Sequence, residues 1–223
     1  MKRLFACFLC LSFLLPAVYA APAEKYVALT FDDGPSGRFT RRLLEGLAER
    51  DVKATFLLCG YRMREDPALT QRIFEEGHEI GLHGYSHDNM SKMTQWQVTK
   101  ELKETLALLP QGCKPVFFRP PGGNVSPAVL QSAKTLNLAV LGWSVDPRDW
   151  AVHDAGAVQA AVLGDVEDGD IILLHDLSDS SVDAALAIVD TLTTWGFHVV
   201  TASELARQKS EKTVPGQIYR RFS

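Results

Sequence analysis

The chain has 223 residues, 46% hydrophobic and 22% charged, with a formal charge of -4 from 23 basic and 27 acidic residues. That length makes one large domain or two small ones, and the composition excludes a disordered tail, a collagen-like rod and a multi-spanning membrane protein. The slight acidity leaves no electrostatic footprint for nucleic acid, and four cysteines are too few for a disulfide scaffold of this size.

In chain order, Lys2 and Arg3 come first, followed by an apolar run from Leu4 to Leu15, Pro16, and the small residues Val18 and Ala20. A basic start, a short apolar stretch and a small-residue site form a secretory signal, with cleavage expected after Ala20. The run is short for a membrane span, which needs about 20 residues, so no stable span is expected after cleavage; an uncleaved anchor is the alternative. Losing two basic residues moves the charge from -4 to -6, and Cys59 and Cys113 become the cysteines of the mature chain.

The remainder, 21–223, reads as one domain without repeats or long linkers, its core over about 25–207 and a tail over 208–223 that packs back or hangs free. Tyr26 to Phe31 reads as a strand, and Thr40 as the cap of a helix carrying Leu43, Leu44 and Leu47. Ala54 to Leu58 is the next strand, Pro67 to Glu76 a helix with proline in its first turn, and Glu79 to Leu82 a short strand. Val98, Leu102, Leu106 and Leu109 carry helical spacing. Val116 to Phe118 is a strand, Pro127 to Leu136 a helix, Ala139 to Trp143 a strand and 155–163 a helix. Ile171 to Leu174 is apolar throughout, as in a strand buried on both faces. Ser181 is the expected cap of a helix with Val182, Leu186 and Val189; Phe197 to Val200 is the last strand, and Ser203 starts a final helix. About seven strands alternating with helices predict a parallel α/β fold, and an open doubly wound sheet and a closed or partly closed barrel fit equally well.

Ionisable residues cluster just after these strands. Asp32-Asp33-Gly34 follows the first, His83 to His87 the third, Arg119-Pro120-Pro121 the next, Asp146, Asp149 and Trp150 the Trp143 strand, and His175-Asp176 the Ile171 strand. Parallel strands bring these ends to one rim, where α/β folds build active sites. Alone, each segment has a bland reading, such as a turn for Asp-Asp-Gly or a surface pair for the histidines. Together, neighbouring carboxylates can divide the work, one on a metal and one on a proton. Asp33, His83 and His87 supply one oxygen and two nitrogens and leave a position open on a zinc-like ion, as catalytic zinc sites do. Gly81 and Gly84 place the histidine pair in a loop rather than a helix. Arg119, stiffened by two prolines, is placed to hold one carboxylate. His78 enters a strand from the wrong end, His153 and His198 lack companions, Trp143 reads as core, and Trp150 as a pocket wall.

Five segments, Thr30 to Pro35, the His83/His87 pair, Phe118 to Pro121, Trp143 to Trp150 and Leu173 to Asp176, resemble the ordered motifs of the polysaccharide deacetylases (NodB homology, carbohydrate esterase family four) over about residues 25 to 207. The resemblance implies an irregular (β/α) barrel of about seven parallel strands and a divalent metal, zinc first, with cobalt or nickel as alternatives. It implies Asp33, His83 and His87 as ligands, Asp32 as general base, His175 as general acid oriented by Asp149, and Arg119 as the residue holding Asp32. A backbone N–H at Gly122 would stabilise the oxyanion, and Trp150 and Leu173 would line a pocket for the acetyl methyl. The implied activity is an exported monomeric hydrolase that removes N-acetyl groups from N-acetylglucosamine-type sugars in peptidoglycan or chitin-like polymers or oligomers. The alternatives are removal of O-acetyl groups or of an acyl group from a small amine on the same scaffold, and a non-catalytic metal-bearing carbohydrate-binding protein.

Two positions depart from the family pattern. Gly84 stands where Ser or Thr is usual, so a hydroxyl that would brace the metal loop is missing. Gly122 stands where an aromatic residue is usual, which predicts altered substrate fit rather than loss of activity. Cys59 and Cys113 fall at opposite rims, and a bridge needs Cα atoms within about 7 Å, so no disulfide is expected.

Overall fold

The computed structural model describes residues 24–223, and the signal expected over 1–20 lies outside the described residues. The elements run β1 (Lys25–Asp32), α1 (Gly37–Glu49), β2 (Thr55–Leu58), α2 (Gly60–Glu65), α3 (Pro67–Glu75), β3 (Glu79–Leu82), α4 (Gln95–Leu106), β4 (Phe117–Phe118), α5 (Pro127–Thr135), β5 (Ala139–Leu141), α6 (Ala155–Asp165), β6 (Ile171–His175), α7 (Asp179–Thr194), β7 (Phe197–Val200), α8 (Ala202–Gln208) and β8 (Ile218–Tyr219), with 3-10 turns at Met90–Lys92 and Pro121–Gly123. Every strand ladder is parallel, as strand–helix alternation requires. The strand order is β6-β1-β2-β3-β4-β5-β8, with β7 against the first half of β1. This curled parallel sheet is the irregular (β/α) barrel expected. No helix among the described residues is long and apolar enough to cross a membrane.

Period-two alternation sorts β1 between two apolar layers. Val27, Leu29 and Phe31 pack with Leu43, Leu44 and Leu47 of α1 and Val182 and Ile188 of α7. Ala28 faces the other way, with Leu57, Phe117, Leu141, Ile171, Tyr219 and Phe222, inside the curl. Thr30 and Asp32 continue that inward column, so the last inward position of β1 is a carboxylate at the C-terminal rim. Register sets Asp32 beside His175 on β6 and beside Leu57 on β2.

Several boundaries differ from expectation. Helix α1 begins at Gly37, and Thr40 lies inside it, its buried hydroxyl donating to Asp176. Helix α7 begins at Asp179 and is capped by Ser178, whose hydroxyl accepts from the Ser181 N–H. Thr201 caps α8, which starts at Ala202 rather than Ser203. β5 ends at Leu141, two residues short of Trp143. Helix α2 and strand β8 were not legible: α2 is a single short stretch with two buried residues, and β8 has two residues. Cys59 is buried and Cys113 half-buried, and both are free thiols.

The tail packs back. β8 pairs with β5, Tyr219 opposite Leu141. Bridges from Val145 to Ile172 and from Asp170 to Arg221 then span the seam between the two ends of the sheet. Phe222 is buried inside the curl, and its N–H donates to the Gly169 carbonyl (2.9 Å). A Cβ on Gly169 would lie 1.9 Å from the Phe222 carbonyl oxygen, so the seam requires glycine there.

Candidate active site

All five ionisable segments reach the rim where β1, β3, β4, β5 and β6 end. A cavity of about 380 Å³ opens there, lined by Asp32, Asp33, His83, His87, Gly122, Trp143, Asp146, Trp150, Leu173 and His175. Eight of the ten residues expected at the site or behind it line this cavity; Arg119 and Asp149 lie buried beneath it, 0% and 1% exposed. Trp143, expected in the core, is half-buried and also lines the cavity. Trp150 is exposed, with the Arg148 guanidinium over its ring. Asp176 does not reach the cavity: it is fully buried, and burial pushes its pKa up to about 6.

Asp33, His83 and His87 present one ligand atom each within 4.8 Å of one another. His83 Nε2 and His87 Nε2 stand 3.2 and 3.0 Å from Asp33 Oδ1. That oxygen is buried and has no hydrogen-bond partner. An orphaned carboxylate oxygen facing two ring nitrogens fits a divalent cation, because one carboxylate and two imidazoles are ligands that catalytic zinc sites use. His83 Nδ1 lies 2.7 Å from the Arg119 carbonyl. A carbonyl only accepts, so Nδ1 carries the proton and the Nε2 lone pair faces the ligand cluster.

Two carboxylates have their own fixed partners. Asp32 Oδ1 accepts from Arg119 Nη1 at 2.6 Å, while its other oxygen faces His83 Nε2 at 3.7 Å. Arg119 also donates to Thr30 Oγ1 and to the carbonyls of Leu141 and Gly142, so the buried guanidinium is tied to β1 and to the end of β5. Asp149 accepts from the His175 backbone N–H and stands 2.8 Å from His175 Nδ1, leaving Nε2 for the cavity. Burial opposes charge on His175, but Asp149, aided by Asp32 and Asp33, raises its pKa to about 9.

One residue escapes reading from the sequence. Glu101, on α4, accepts from the backbone N–H groups of Tyr85 and Ser86 (2.9 Å each) and from the Ser86 hydroxyl. It braces the loop between His83 and His87, the task a hydroxyl at position 84 was expected to perform. Gly84 has φ +81, and a Cβ there would lie 2.4 Å from Met90 Cε, so this loop path excludes Ser or Thr without a shift.

With this fold and rim, the sequence matches the polysaccharide deacetylase family model over residues 20–141, and the chain belongs to that family. Among relatives, a peptidoglycan-N-acetylglucosamine deacetylase of Bacillus cereus is 37% identical over 192 residues, covering 83% of this chain and 90% of that protein. The peptidoglycan-N-acetylglucosamine deacetylase PgdA of Listeria monocytogenes is 36% identical over 197 residues; the match covers 87% of this chain but 42% of PgdA, so the chain spans under half the length of that relative. A family 4 acetyl xylan esterase from Clostridium thermocellum, solved with a cobalt ion, superposes with a TM-score of 0.82 at 36% identity, covering 88% of this chain and 98% of that one.

Proposed function

We propose that residues 21–223 form the single catalytic domain of an exported, metal-dependent hydrolase. It removes acetyl groups from N-acetylglucosamine-type residues of peptidoglycan or chitin-like saccharides and releases acetate. The observation that carries this reading is the orphaned Asp33 oxygen between two imidazoles, flanked by a base held by arginine and an acid held by aspartate, all around one cavity. Asp33, His83 and His87 would hold the ion, zinc first among divalent metals. When bound, it supplies Lewis-acid polarisation of the acetamide carbonyl and acidifies water at the site.

The chain's own groups account for the proton movements. Arg119 occupies Asp32 Oδ1, so Oδ2 takes the proton of the attacking water. Water oxygen bonds to the carbonyl carbon, and the backbone N–H of Gly122 donates to the oxyanion as charge develops. His175 Nε2 gives its proton to the amide nitrogen as the C–N bond breaks, yielding acetate and the free amine. Leu173 and Trp150 enclose the methyl, which fixes the acyl group rather than the sugar. The same arrangement serves an O-acetyl ester, and the likeness to an acetyl xylan esterase supports that second reading.

The test is acetate release from chito-oligosaccharides, peptidoglycan and acetylated xylan, with zinc and after chelation. Release from an N-acetylated substrate is expected, lost on chelation and restored by zinc, and reduced about 10²–10⁴-fold in Asp32→Asn. Release from xylan alone establishes the ester reading. Full activity in Asp32→Asn removes Asp32 from its role.

A further inference from the structure

Beside the catalytic cavity lies a second one of about 220 Å³, whose lining includes Gly122, Gly142, Trp143, Ile218 and Arg220. Gly122 and Trp143 line both cavities, so the two adjoin across them. At this shared wall, position 122 carries no side chain. The far side of the second cavity comes from β8, which lies parallel to β5 and so carries residue 220 to the catalytic rim beside Gly142. The Gly142 N–H donates to the Tyr219 carbonyl at 2.7 Å. A Cβ on Gly142 would sit 2.9 Å from Arg220 Cγ, so the bare glycine leaves room for the arginine stem.

Arg220 is the charged residue of this lining, whereas the catalytic cavity presents Asp32, Asp33 and Asp146. Arg220 is an exposed residue whose guanidinium makes no ion pair or side-chain hydrogen bond among the described residues. Neighbouring cations behave otherwise: Arg221 pairs with Glu167 and Asp170, and Lys209 with Asp168. An arginine with all its donors free, one cavity away from the reacting atoms, fits a planar anion presented by the substrate.

Building on the deacetylase reading, we propose that the second cavity seats the sugar adjoining the one that is deacetylated, and that Arg220 selects saccharides whose adjoining sugar bears a carboxylate. That carboxylate can sit on an ether-linked lactyl group or at C6 of the ring. The catalytic cavity's own acids repel it, so a negative group is favoured at the Arg220 end alone.

The test measures binding by calorimetry in an Asp32→Asn background, so that no turnover is needed, with zinc present. The probes are β-1,4-linked N-acetylglucosamine disaccharides whose second sugar bears a 3-O-lactyl carboxylate, a C6 carboxylate, or neither. At least one acidic probe is expected to bind about tenfold tighter than the neutral one. Arg220→Gln abolishes that difference and leaves the neutral probe unchanged, while Arg220→Lys restores part of it. Which acidic probe gains identifies the carboxylate source. Equal binding of all three probes, or a preference that survives Arg220→Gln, overturns the proposal. Acetate release by the unmodified protein is measured separately. Its absence sinks the deacetylase reading without touching the binding comparison.

Discussion

His175 and Asp149 show how burial and a charge partner compete at one group. Burial disfavours the imidazolium, but the 2.8 Å contact to Asp149, with the fields of Asp32 and Asp33, lifts the pKa from 6.5 to about 9. The ring is therefore protonated at neutral pH, as the proposed general acid should be, and it loses that proton as pH rises. A cation on Asp33 cancels part of the carboxylate contribution, so the alkaline limb of kcat/KM is expected between 6.5 and 9. Asp149→Asn removes the strongest raising influence. Its limb is expected to move down towards 6.5, with a lower plateau, in pH–rate profiles at saturating zinc. A limb that stays in place would assign the alkaline titration to another group. Asp32, Asp33, His83, Arg119 and His175 were legible because each follows an apolar run at what must be a strand end. Trp143 was not, because an aromatic residue after a strand reads equally as core or wall, and its position over Gly123 is a matter of tertiary packing.

Helix α4 brings to the His83–His87 loop a carboxylate that no local pattern marks. Its buried face of Val98 and Leu102 was readable as a helix signal, and the structure adds a capping box at Thr94 and Gln97. Glu101 sits beside them among Lys100, Lys103 and Glu104, where a carboxylate reads as part of a solvated face. Its donors lie 15 and 16 residues earlier in the chain, so only the packed helix reveals the contact. Removing one acceptor frees two backbone N–H groups and the path of the chain from His83 to His87. Glu101→Gln keeps the size but weakens the bonds to those N–H groups, since a charged acceptor binds more strongly than a neutral one. Zinc affinity is expected to fall about 10–100-fold, the range for residues that orient metal ligands. Competition with a chromophoric chelator measures it, alongside far-UV circular dichroism to verify the helix. Unchanged affinity would leave Glu101 a surface residue. The same scale explains the misplaced helix starts. Ser178 to Ser181 offers several hydroxyls for one cap, and only the turn geometry selects Ser178.

Whether strands and helices close into a barrel or open into a sheet is settled by pieces too short to carry a periodic signal. β8 has two residues and β4 two, and the seam to β6 is made by single bridges at Val145 and Arg221. A two-residue strand offers no alternation to count, so the tail's role follows only from what it covers. Phe222 sits fully buried, 5.2 Å from the Tyr219 ring centroid and 6.4 Å from that of Phe117. Next to it, β8 holds β5 through the bonds from the Val140 N–H to the Gln217 carbonyl and from the Gly142 N–H to the Tyr219 carbonyl. The Leu141 and Gly142 carbonyls in turn bind Arg119, which holds Asp32. The tail thus fastens the seam and, through β5 and Arg119, the Asp32 carboxylate. Phe222→Ala removes a buried ring from the inside of the curl, a loss of about 3–5 kcal/mol for phenylalanine truncation. For a domain of this size that corresponds to a drop of about 10 °C in Tm. Calorimetry of the zinc-loaded protein is the measurement, and Phe222→Leu, which keeps most of the volume, is expected to recover more than half the loss. A Tm for Phe222→Ala within about 2 °C of the unmodified protein would mean that less than 1 kcal/mol is lost at the seam. The tail would then be an appendage rather than part of the barrel wall.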